Sequence, residues 1–122
     1  MAKSYVKFNV GDDISKKTYE LVKLASSTGK VRKGTNEATK SIERGLAKIV
    51  VIAEDVEPEE IVMHIPEICK EKGIPFTYVP SKKELGNSAG MNVQSAAVAV
   101  EDAGNGNDLM KDIINNLPKV KE

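Results

Sequence analysis

With 122 residues, 40% of them hydrophobic and 30% charged, the chain has the size and mix of one folded domain with one core, and not of a disordered or low-complexity polymer. It holds one cysteine, Cys69, and one histidine, His64, which excludes an internal disulfide and a zinc site of the cysteine and histidine kind. The formal net charge is zero, yet residues 30–48 carry six cations against two carboxylates, a net +4 that leaves −4 on the remainder, so a local basic patch sits on an acidic body.

The first ten residues contain no apolar run, and no segment approaches the roughly 20 apolar residues of a membrane span. We therefore expect no signal peptide, no membrane partner and a cytoplasmic location. Asp12 or Asp13 is placed to cap a first helix that ends near Gly29. Residues 30–33 form a short strand candidate, and a second helix is expected over 35–47 with Thr35 or Asn36 as its cap. The apolar run Ile49, Val50, Val51, Ile52 and Ala53 predicts a strand buried on both faces at the sheet centre. Pro58 stands near the start of a third helix in which Ile61, Ile65, Ile68 and Cys69 share a face; Pro66 should kink or restart it and Gly73 should end it. A strand over 74–79 follows, then a short helix capped by Ser81 and running to Leu85, and a glycine loop over 86–90. The last elements are a strand over 95–100, a turn at 104–106 and a helix over 108–117, with 119–122 frayed. Strands alternating with helices through short connections predict a single α/β domain over residues 1–122, with about four strands and about five helices covering both faces of the sheet.

The second helix is the most informative stretch. At about 100° per residue, Glu37, Lys40 and Arg44 fall on one stripe with Asn36 at its edge, and Ala38, Ile42 and Leu46 lie almost opposite. One reading is a capped helix with a solvated face. The other assigns Asn36 and Lys40 to base edges and Arg32, Lys33 and Arg44 to phosphates. Glu37 discriminates between them, because a carboxylate repels phosphate and belongs in an RNA site only if it accepts hydrogen bonds from base N–H groups. Glu54, Asp55 and Glu57 cluster after the central strand, where open α/β sheets place ligand sites, although a polar loop accounts for them as well. The glycine loop has neither the ending of a P-loop nor the dinucleotide fingerprint. His64 and Cys69 fall on the apolar side of their helix and read as packed. With no tryptophan, two phenylalanines and three tyrosines, the chain lacks an aromatic platform for stacking bases. At this level three classes stay open: an RNA-binding protein, a small α/β enzyme or nucleotide-binding regulator using the acidic cluster, and a protein-binding sandwich domain.

The run 33–47, the turn from Glu54 to Pro58, and the segment from Ser81 through Met91, Asn92 and Val93 together resemble the kink-turn-binding ribosomal protein family, in its archaeal large-subunit branch. The similarity extends over essentially the whole chain, and Gly34-Thr35-Asn36-Glu37-Ala38-Thr39-Lys40 is its most specific motif. The resemblance implies a three-layer α-β-α sandwich around a mixed sheet, binding without catalysis, no cofactor, and a monomer when free. As partners it implies kink-turn RNA, a helix-bulge-helix with sheared G·A pairs beside a sharp bend, in ribosomal RNA, box C/D and H/ACA guide RNAs and ribonuclease P RNA, together with other proteins of those particles. On the family's pattern, Asn36, Glu37, Lys40 and Arg44 match positions at the G·A pairs and adjoining backbone, and Gly34 lets the backbone come close with Lys33 beside it. Glu57, Ile61 and Lys82 match positions around the extruded bulge nucleotide, and Met91, Asn92 and Val93 occupy the loop that covers it. Thr35 departs from the family's usual alanine, and its hydroxyl is expected to cap the helix.

Overall fold

The computed structural model describes residues 5–117; the frayed segment expected at 119–122 lies outside them. Along the chain run α1 (Asp12–Thr28), β1 (Lys30–Lys33), α2 (Thr35–Glu43), β2 (Ile49–Ala53), a 3-10 turn (Glu59–Ile61), α3 (His64–Lys72), β3 (Phe76–Val79), α4 (Lys82–Ser88), β4 (Ala97–Asp102), a second 3-10 turn (Gly104–Gly106) and α5 (Asn107–Asn115). The strands form one mixed sheet in the order β1-β4-β2-β3, with β2 parallel to β3 and the β1–β4 and β2–β4 pairs antiparallel.

All five residues of β2 are buried, as expected for a central strand covered on both faces. Full burial of a side chain such as Ile49 or Ile52 contributes about 1.5–3 kcal/mol of transfer free energy. The alternation of β4 separates the layers. Val100 packs with Leu21 and Ala25 of α1 and Ile113 of α5, whereas Glu101, on the other face, meets Ser41 of α2. Ala97 and Ala99 share the Glu101 face, and their small side chains let α2 lie close to the sheet, where it also packs on α3. Helices α1, α4 and α5 form the opposite layer, giving an α-β-α sandwich.

Several local expectations need correction. Asp12 and Asp13 lie in the first turn of α1 and do not cap it; the N-cap is Gly11, and the two carboxylates act on the positive helix end. Helix α2 stops at Glu43 because Gly45, at φ 71°, turns the chain: the Gly45 N–H donates to the Ile42 carbonyl and the Leu46 N–H to the Ser41 carbonyl. Leu46 is thereby carried off the buried stripe of Ala38 and Ile42 and is 46% exposed. The third helix is split, with Ile61 in the 3-10 turn and exposed, off the face of Ile65 and Cys69. Restarting at His64 puts Pro66 in the first turn of α3, where its missing N–H costs no intrahelical bond. Strand β3 starts at Phe76, not Ile74: the Ile74 N–H closes the end of α3 on the Cys69 carbonyl, and Pro75 has no N–H to give.

Helix α4 continues through Gly86 to Ser88, so the expected loop at 86–90 is mostly helix. Gly86 is required by contact: a Cβ there would sit 2.0 Å from the Val93 carbonyl oxygen. The following segment is held against α4 by the Met91 N–H on the Gly86 carbonyl, at 2.9 Å, and the Ser95 N–H on the Lys82 carbonyl, at 3.0 Å. With Ser95 so engaged, β4 begins at Ala97 instead of Ser95. At the other end of the chain, the Tyr5 hydroxyl donates to the Ala53 carbonyl at 2.8 Å and the Tyr78 hydroxyl to the Tyr5 carbonyl at 2.5 Å, while Phe8 packs on Phe76 and Tyr78. These aromatic contacts pin residues 5–8 over β2 and β3.

Candidate nucleic-acid interface

Lys33, Gly34, Thr35, Asn36 and Glu37, at the junction of β1 and α2, line a groove of about 550 Å³ together with Ile61 and His64. The junction depends on Gly34, whose φ of 93° and ψ of 159° belong to a region open essentially to glycine alone. Its N–H donates to the Ala97 carbonyl and its carbonyl accepts from the Ala38 N–H, both at 2.9 Å. Gly34 is also the N-cap of α2, with no side-chain cap bond, so neither Thr35 nor Asn36 caps the helix; both already lie inside it. The N–H groups of the first turn thus lack intrahelical acceptors, and the positive helix end lies at the groove.

Asn36 and Glu37 are exposed at this turn. The Lys40 ammonium lies 3.6 Å from the Glu37 carboxylate, with the two side chains 55% and 50% exposed. Such a pair contributes only about 0.2–0.5 kcal/mol, so each partner is available to an incoming ligand. Arg44 is exposed at the far end of α2, about 12 Å along the axis from Asn36 at 1.5 Å per residue.

Arg32 does not line the groove. Its Nε donates to Glu101 at 3.3 Å, and the same carboxylate accepts from the Ser41 hydroxyl at 2.6 Å and lies 3.8 Å from the Lys30 ammonium. Burial pushes the Glu101 carboxyl up, but the Ser41 hydroxyl, Arg32 and Lys30 together hold it below the usual carboxylate value. Glu101 and the groove residue His64 are the participants that the sequence pattern did not bring forward. The sequence pattern places His64 on the apolar side of its helix, and no local signal connects it to α2; Glu101 is a charge at a strand position where alternation places it under α2.

The remaining site candidates form a second group. Lys82 opens α4, its N–H donating to Asp55 Oδ1 at 2.9 Å and its carbonyl bonded to Ser95. Met91 is half-buried against the core, whereas Asn92 is exposed and Val93 is 63% exposed. Glu57 lies on a separate groove of about 590 Å³ with Pro58, Glu59, Glu60 and Met63; the 3-10 turn contributes residues to both grooves. Asp55, one of the acidic cluster, is engaged in anchoring α4. Burial and the charge of Asp55 push the Glu54 carboxyl up. Among the described residues no group of three or more His, Cys, Asp or Glu side chains is arranged to hold a metal ion. Burial pushes the Cys69 thiol up to about 12, a value that suits a packed side chain and not a nucleophile. Among the described residues no helix is long and apolar enough to cross a membrane.

Residues 16–110 match the model of the family described as Ribosomal protein L7Ae/L30e/S12e/Gadd45 family. Over 117 residues the chain is 50% identical to the large ribosomal subunit protein eL8 of Nitrosopumilus maritimus (strain SCM1), covering 96% of this chain and 91% of that protein. Its fold is similar to that of the Giardia lamblia 15.5kD RNA binding protein, with a TM-score of 0.87 and 29% identity over 93% of this chain and 94% of that one. A family match across most of the sequence, a close ribosomal relative and a shared architecture lead to one conclusion: the chain belongs to the Ribosomal protein L7Ae/L30e/S12e/Gadd45 family.

Proposed function

We propose that this chain is an RNA-binding ribosomal protein that recognises and stabilises kink-turns. The observation that carries the reading is the groove at α2, where uncapped backbone N–H groups, the exposed Asn36 amide and the Glu37 carboxylate meet the apolar Ile61. Donors and an acceptor side by side fit base edges better than a bare phosphate surface, since Glu37 repels phosphate but accepts from guanine N–H groups. The similarity to a ribosomal subunit protein and to a protein named as RNA-binding supports the same assignment.

In this reading Asn36, Glu37 and Lys40 engage the sheared G·A pairs, Lys33 and Gly34 approach the adjoining backbone, and Arg32 and Arg44 contribute phosphate contacts. Glu57, Ile61 and Lys82 surround the extruded nucleotide, under the loop of Met91, Asn92 and Val93, and Thr35 is accommodated without capping. The role is binding without catalysis. The protein favours the kinked RNA over the open form by its differential affinity for the two. The same recognition serves ribosomal RNA, box C/D and H/ACA guide RNAs and ribonuclease P RNA wherever they hold a kink-turn, beside the other proteins of those particles. Titration with a kink-turn RNA and with the same RNA lacking its G·A pairs tests the reading. Loss of the pairs is expected to weaken binding tenfold or more, on the order of the 1–3 kcal/mol of one bidentate base contact; equal affinity for both RNAs overturns it.

A further inference from the structure

One hydrogen-bond chain crosses from α3 to the wall of the groove. Thr39, one turn along α2, places its Oγ1 2.8 Å from the Thr35 carbonyl and 2.8 Å from His64 Nε2. A hydroxyl has a single proton to donate, and the Thr35 carbonyl can only accept. With that proton given to Thr35, Thr39 accepts from His64, so His64 is the tautomer that carries its proton on Nε2. The result is a directed chain from His64 Nε2–H to Thr39 Oγ1–H to the Thr35 carbonyl, inside the turn that presents Asn36 and Glu37.

The position of this chain gives it its effect. Ala38 and Ile42 of α2 share a core cluster with Ile65 and Cys69 of α3, and apolar packing of this kind is strong but non-directional. It holds the helices together without fixing how far one slides along the other. The hydrogen bond supplies the direction, and it begins at a residue three positions from Ile61, across the groove from the first turn of α2. We propose that His64 is a positioning residue, which through Thr39 locks the first turn of α2 to α3 and thereby fixes the width of the groove between Asn36–Glu37 and Ile61. This inference rests on the kink-turn reading.

The test combines Thr39→Val, which removes the hydroxyl at nearly constant shape, with His64→Ala, the double variant, and His64→Gln, whose amide can donate from near the Nε2 position. Each is titrated with the intact kink-turn RNA and with the RNA lacking its G·A pairs, and each is melted. Both single variants are expected to bind the intact RNA about five- to tenfold more weakly, the scale of one lost hydrogen bond, with little change on the altered RNA. The double variant is expected to be no worse than the weaker single, as for two members of one chain, and His64→Gln to recover most of the affinity. Losses that multiply in the double variant, equal losses on both RNAs, or unchanged binding by folded Thr39→Val overturn the role. If His64→Ala melts below the assay temperature, Thr39→Val and His64→Gln decide by the same criteria. Failure of the unaltered protein to discriminate between the RNAs overturns the kink-turn reading and this inference together; full discrimination with unaffected variants removes His64 alone.

Discussion

The groove at α2 and the groove between α1 and α4 have similar concavity and opposite chemistry. The second, about 330 Å³ and lined by Lys16, Tyr19, Glu20, Lys23, Glu84, Asn87 and Ser88, also carries charges of both signs. Its helix start is closed: the Ser81 N–H donates to the Tyr19 hydroxyl at 3.0 Å, that hydroxyl donates to the Ser81 carbonyl at 3.4 Å, and Ser81 Oγ caps α4 by accepting from the Glu84 N–H at 3.1 Å. The α2 groove has a glycine-only backbone in place of a cap, free first-turn N–H groups and a weak exposed ion pair. Neither concavity nor charge distinguishes the two. An uncapped helix start, on a backbone that only glycine tolerates, marks where a ligand is expected.

The largest expected effect separates the two faces by chemistry. Glu37→Ala should weaken kink-turn binding about 10- to 100-fold at moderate salt, the range of a hydrogen bond to a charged group, although it removes a negative charge; tighter binding would show that the carboxylate accepts nothing from the bases. Next, Val93→Glu should cut RNA affinity on the order of tenfold by placing a charge where an apolar contact is expected, with a nearly unchanged melting temperature because Val93 is 63% exposed. Unchanged RNA binding would remove that loop from the interface.

A smaller effect belongs to the support beneath α2. The Glu101 carboxyl is held below its ordinary value of 4.5, so its contribution to stability is complete above the unfolded-state value and is lost as pH falls through the folded value. Denaturant unfolding between about pH 6 and pH 3 should show the stability advantage over Glu101→Gln, on the order of 1 kcal/mol, shrinking toward acid. An advantage constant across that range would mean that the charge of Glu101 stabilises nothing. The smallest effect is in the second groove, where Lys23→Ala should change stability by less than about 0.5 kcal/mol and leave RNA titration curves superimposed on those of the unaltered protein.

Much of this architecture was legible in the sequence where a single local rule decides. The apolar run of β2, the Ser81 cap and the φ > 0 glycine after α3 act over a few residues, and they appear as the pattern predicts. The misreadings have tertiary causes. Gly86 looked like a loop residue, but its missing side chain makes room for the Val93 carbonyl in a helix that continues. Tyr5 and Phe8 show no periodicity, because their partners are Ala53, Phe76 and Tyr78, far along the chain. At the groove, the polar stripe of α2 was visible, since helical spacing alone places Glu37 beside Lys40. The roles of His64 and Glu101 were not, since each depends on an element packed from elsewhere in the sequence.

Backbone amide chemical-shift mapping during titration with kink-turn RNA tests the central contrast most directly. Shifts are expected to concentrate at residues 33–37, 61, 64 and 91–93, with residues 16–23 of α1 unchanged. Perturbations centred on the α1–α4 groove, with the first turn of α2 unmoved, would contradict the assignment.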